Sequence, residues 1–127
     1  MLRLIGGVIA GIVVWAVVAT VLNLGLRHGM PGYAAVEKSM LFTLPMMIAR
    51  LSISGISSLA SGYAAAAAGK RQLAALIAGI VLLLPFLWVH YHIWHDTPNL
   101  FPIWYHLAFL ISLPVLSIVG GRFARVP

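Results

Sequence analysis

Two groups of residues in this chain have the types and spacing to do chemistry. The first is His90, His92, His95 and Asp96, written H-x-H-x-x-H-D, with His106 in the apolar stretch that follows. On a continuous helix His92, His95 and Asp96 fall at i, i+3 and i+4. That spacing lets imidazole and carboxylate share a divalent metal ion. His90 or His92, paired with His106 from another helix, could instead flank a haem iron. Imidazole also titrates near neutrality and can hand on protons. The plain structural alternative is that histidines beside aromatic residues bond to water and headgroups, with Asp96 or Asn99 capping the next helix.

The second group centres on Arg50, a guanidinium inside an apolar run of a chain whose only acidic residues are Glu37 and Asp96. A charge at that depth costs several kcal/mol unless something holds it, so it marks a bundle-facing or functional position. At 100° per residue, Thr43, Met46, Arg50, Ser54, Ser57, Ser61 and Ala65 share one helix face. Ile48, Leu51, Ile56 and Leu59 take the opposite side, with Ser52 the exception. Arg50 therefore points with the small polar stripe. Its expected partners are Asn23, Asp96, His106, the hydroxyls of Ser54 and Ser57, carbonyls freed by Pro45, or an anionic ligand. A competing reading has Arg50 snorkelling to the interface, because its apolar run is longer than a bilayer requires.

Other chemistries lack their residues. The chain has no cysteine, hence no disulfide and no thiolate ligand or nucleophile. It contains no glycine-rich phosphate loop, no H-E-x-x-H and no G-x-S-x-G. Two carboxylates in all make acid–base catalysis by a carboxylate pair depend on both reaching one site.

The elements that must position these groups follow from composition. Of 127 residues, 62% are hydrophobic and 8% charged, far below the roughly one quarter charged in soluble domains. Such a chain belongs in a bilayer. Four stretches reach the roughly 20 residues that a spanning helix needs: about 4–26, 41–68, 73–91 and 101–120. The first, long for the apolar core of a signal peptide, is expected to be retained as a helix. The fold expected is an all-α, four-transmembrane-helix antiparallel bundle over 1–127, a single domain, with short second and third connections.

Arg3, Lys70, Arg71, Arg122 and Arg125 fall on one side of these stretches, and only Arg27 and Lys38 at the other. The excess places both termini in the cytoplasm, in an inner or plasma membrane. The net charge of +6 is dispersed at helix ends and does not form a nucleic-acid surface. Trp88, Tyr91, Trp94, Phe101, Trp104 and Tyr105 are expected to form an interfacial belt. Small residues (Gly7 and Gly11; Ser54, Ser58, Gly62 and Ala66; Ser117 and Gly121) supply close-packing faces, and Pro45, Pro85 and Pro114 fall within the spans.

These observations favour a non-enzymatic accessory or interaction subunit whose partners are the lipid bilayer and a second copy or another membrane protein. It would need no cofactor. One alternative is a small oligomeric transporter or channel using Arg50, although the first stretch lacks the acidic residue of a proton-coupled cation exporter. A second alternative is a metal- or haem-binding redox subunit using the outer-side histidines.

Overall fold

Caps and prolines decide where the helices begin. Thr43 adopts extended backbone, and its side chain accepts a hydrogen bond from the Met46 N–H at 3.4 Å, capping the helix Leu44–Gly69. The helix starts three residues later than its apolar run. Pro45 falls in the first turn, where its missing N–H costs no intrahelical bond. It therefore frees no carbonyl for Arg50. Pro85 and Pro114 do lie inside their helices.

The computed structural model describes all 127 residues. The chain is 81% helix with no strand, in the order α1 (Leu2–Gly29), α2 (Tyr33–Val36), α3 (Leu44–Gly69), α4 (Gln72–Asp96) and α5 (Ile103–Arg122). All except α2 are long and apolar enough to cross a membrane. Two helices outrun their apolar cores. α1 continues past Leu26 with Arg27 and His28 in its last turn, where positive charge suits the carbonyl end of the helix dipole. α4 continues past Tyr91 to Asp96 and is closed by Thr97, whose N–H and hydroxyl both donate to the Ile93 carbonyl.

One half of the molecule is held by close backbone approach. A Cβ on Gly7 would lie 2.6 Å from the Ala65 carbonyl oxygen, and one on Gly11 would lie 2.8 Å from the Ala65 methyl. Only glycine allows α1 this close to α3. Between α3 and α5 the fit is tighter still. A Cβ on Gly62 would overlap the Ser117 carbonyl, and one on Gly120 the Leu59 carbonyl. Between α4 and α5, Gly79 faces the Pro114 backbone, and the Ser117 hydroxyl donates to the Ala75 carbonyl at 2.7 Å. Gly69 is the last residue of α3, and a Cβ there would lie 2.9 Å from the Ala74 methyl. The left-handed residue that ends the helix is Lys70, at φ 57°.

The other half is held by large side chains. Tyr33, Phe42, Met46, Phe101 and Tyr105 form a buried cluster joining α2 and the segment after it to α3 and α5. The apolar faces left exposed include Ile5, Ile9, Val13, Val17 and Val21 along α1, as expected of a surface meeting lipid.

Candidate functional site

Arg50 lies in the second turn of α3, with Phe42 and Met46 on the chain just before it. Its guanidinium carbon sits 4.6 Å from the centre of the Phe42 ring, in the range of a cation–π contact. Nη1 donates to the Tyr33 hydroxyl at 2.7 Å, and Nε donates to the Tyr105 hydroxyl at 3.0 Å. Phe101 stacks on Tyr105 at 4.7 Å, and Tyr33 stacks on Phe42 at 5.3 Å. Arg50 thus sits in a box of four aromatic rings drawn from three parts of the chain.

The hydrogen bonds continue outward in a consistent direction. The Tyr33 hydroxyl, accepting from Arg50, donates to Asn23 Oδ1 at 3.1 Å. Asn23 Nδ2 donates to Glu37 Oε2 at 3.2 Å, and Arg27 Nε donates to both Glu37 oxygens at 2.7 and 3.0 Å. The bonds from Arg27 hold the Glu37 carboxyl below its ordinary range against the opposing effect of partial burial, with help from Asn23 and the positive fields of Arg27 and Arg50. Glu37 is therefore a carboxylate at neutral pH. The set Arg27, Glu37 and Arg50 carries one net positive charge.

Beside this network lies a cleft of about 360 Å³. α1 lines it with Trp15, Ala19, Thr20 and Asn23; α3 contributes Arg50, Ile53 and Ser54; Phe86 and Phe109 come from α4 and α5, and Glu37 completes the rim. Trp15 donates its indole N–H to the Ser58 hydroxyl at 3.2 Å and packs on Phe86 at 5.0 Å. One end of the cleft is charged and the other aromatic.

Several expected neighbours of Arg50 are elsewhere. Asp96 is exposed at the end of α4 and pairs with its neighbour His95 at 3.1 Å. Asn23 reaches Arg50 only through Tyr33. His106 makes no hydrogen bond to Arg50: its Nδ1 meets His90 Nδ1 at 2.8 Å, one ring donating to the other, in a buried pair whose His90 ring stacks on Phe109. His92 and His95 face outward, and no three metal-ligating side chains converge. Of the α3 stripe, Ser54, Ser57 and Ser61 are buried with hydroxyls that have no partner, as is His106 Nε2.

The residues that hold Arg50 carry little signal of that role in the sequence. Tyr33 stands in a connecting segment without periodicity, and Phe101 and Tyr105 are among the aromatics expected in the belt. Trp88, Tyr91, Trp94 and Trp104 are exposed as a belt requires, whereas Phe101 and Tyr105 are buried. One signal separates the two sets: Phe101, Tyr105, Phe109 and Leu113 recur every four residues, an inward stripe.

Comparison of the chain with protein-family models, curated proteins and solved structures finds no match.

Proposed function

We propose that this chain is a non-enzymatic, lipid-interacting accessory protein of the inner or plasma membrane. In this reading it is an antiparallel bundle of four spanning helices with both termini in the cytoplasm. The observation that carries it is the Arg50 cleft, in which a cation is fixed by two tyrosine hydroxyls next to an apolar wall. Phenols orient a charge without cancelling it, so the site is built to hold a group and lacks the acid–base or nucleophilic pair that a reaction needs. No cofactor enters this reading.

Extraction in mild detergent followed by identification of whatever remains bound tests the role. A retained lipid or membrane protein is expected, and a strictly monomeric particle carrying neither would sink the proposal. Orientation has its own test, since the chain has no native cysteine. In intact cells, a membrane-impermeant thiol reagent should label Asp96→Cys and spare Lys70→Cys.

A second reading, a small anion transporter or channel, is supported by the unpartnered hydroxyls of Ser54, Ser57 and Ser61, which continue from Arg50 along α3. Arg50→Ala in proteoliposomes should abolish anion flux if that reading is right; equal flux would remove it.

A further inference from the structure

We infer that the Arg50 cleft binds one lipid molecule whose head carries a single net negative charge, with the head on Arg50 and Ser54 and the start of its apolar chain along Trp15, Phe86 and Phe109. The inference rests on the lipid-interacting reading above and names the chemistry that such a site would select.

Three observations carry it. The first is charge. Arg27 and Glu37 balance one another in a close ion pair, which leaves Arg50 as the uncompensated charge at the cleft. A monoanion restores neutrality there, whereas a head of zero net charge brings a cation that the site does not need.

The second is unused hydrogen-bonding capacity. Guanidinium has five N–H donors, and the two phenols take one each. The Ser54 hydroxyl, one turn along the same face, lines the cleft at 2% exposure and has no partner. A buried hydroxyl left unpaired costs free energy. A phosphodiester or carboxylate oxygen between Ser54 and Arg50 would satisfy both with charge-assisted bonds.

The third is shape. The volume of about 360 Å³ lies in the lower part of the roughly 300–1,000 Å³ range of ligand sites. It suits a headgroup and the first carbons of a chain. Its aromatic end gives a bare inorganic ion nothing to gain. Outside the cleft, the flanking helix surfaces are apolar and exposed, so a chain leaving it stays in a hydrocarbon environment.

The test uses the full chain in mild detergent, offered equal amounts of phosphatidylglycerol (net charge −1) and phosphatidylcholine (net charge zero) with identical acyl chains, and read by native mass spectrometry. One bound phosphatidylglycerol is expected, preferred by about tenfold, because phosphatidylcholine offers the same phosphodiester but adds a quaternary ammonium beside the uncompensated charge of Arg50. Arg50→Gln should erase the preference. Because Arg50 also holds Tyr33 and Tyr105, that variant can lose its fold. Ala19→Phe, which fills the cleft from the α1 wall and removes no hydrogen bond of Arg50, should abolish retention on its own while leaving helical content unchanged.

Equal retention of the two lipids, or a preference that survives Ala19→Phe, overturns the inference. If inorganic phosphate alone raises the unfolding temperature as much as phosphatidylglycerol does, the site takes a small anion and the lipid assignment fails. Lipid or protein that co-purifies without any charge preference defeats this inference alone, whereas a bare particle defeats the proposed function.

Discussion

The two ends of this molecule are held together by opposite means. At the end carrying the chain termini and the α3–α4 turn, Gly7, Gly62, Gly69 and Gly120 bring backbone against backbone, and no large side chain intervenes. At the other end, Arg50, four aromatic rings, Asn23 and Glu37 form a polar network with a cleft beside it. Lipid tails are as apolar as leucine, so the first end can associate only through contact area and fit. The second end also uses directional bonds, which remain strong where water is scarce. Close packing leaves no space for a ligand. A network of side chains around one charge does, and so the candidate site lies where the glycines do not.

Substitutions that attack each mechanism separately should sharpen this contrast. The largest effect is expected from Gly62→Leu, which drives a side chain into the α5 backbone at Ser117 and should cost more than about 3 kcal/mol. Loss of a monodisperse particle or a strongly lowered unfolding temperature is the readout. Gly6→Leu is the control, because a Cβ there meets nothing within 4 Å. If the two variants behave alike, close approach is not what holds that end.

Arg50→Ala comes next. It removes two charge-assisted hydrogen bonds and the contact with Phe42, a loss of about 3 kcal/mol. The disturbance should be confined to the aromatic end, so that hydrogen exchange rises around Tyr33 and Tyr105 while Gly62 and Ser117 remain protected. Exchange rising equally at both ends would show that the halves are one cooperative unit.

The His90–His106 pair offers a smaller effect with a distinctive sign. Either single change to Phe strands a buried ring nitrogen, at about 2 kcal/mol, whereas changing both removes donor and acceptor together and should be close to neutral. A double-mutant cycle on thermal unfolding measures this coupling; additive losses would mean that the two rings do not depend on one another.

The smallest effect concerns pH. Glu37 is held below its ordinary pKa by Arg27, so its contribution is complete above the value that glutamate has in an unfolded chain. It declines as pH falls below that value and is lost through the lower folded pKa. Wild type should therefore lose a modest part of its stability in acid that Glu37→Gln lacks at every pH. Parallel curves for the two proteins would remove the ion pair from the account.

Much of this architecture was legible because it depends on local pattern. Four apolar runs gave four helices, and the small residues of α3 at 54, 58, 62 and 66 are buried as their spacing implied. The helix ends were less legible. Leu41 is apolar but precedes a threonine cap, and His92, His95 and Asp96 are polar yet continue α4. Hydropathy measures affinity for lipid, whereas a helix ends where its hydrogen bonds do.

The sequence by itself determined that the chain is helical and membrane-spanning, and that one face of α3 carries both a charge and a row of small polar groups. These follow from composition and from a fixed angle per residue. Only the tertiary structure decided what surrounds Arg50. Its partners, Tyr33 and Tyr105, lie 17 and 55 residues away along the chain, and neither spacing belongs to any helical period. Which phenol meets the guanidinium depends on how α2 folds back and which way α5 is turned about its axis. Those are set by the summed packing of all the helices, and no single segment carries that information.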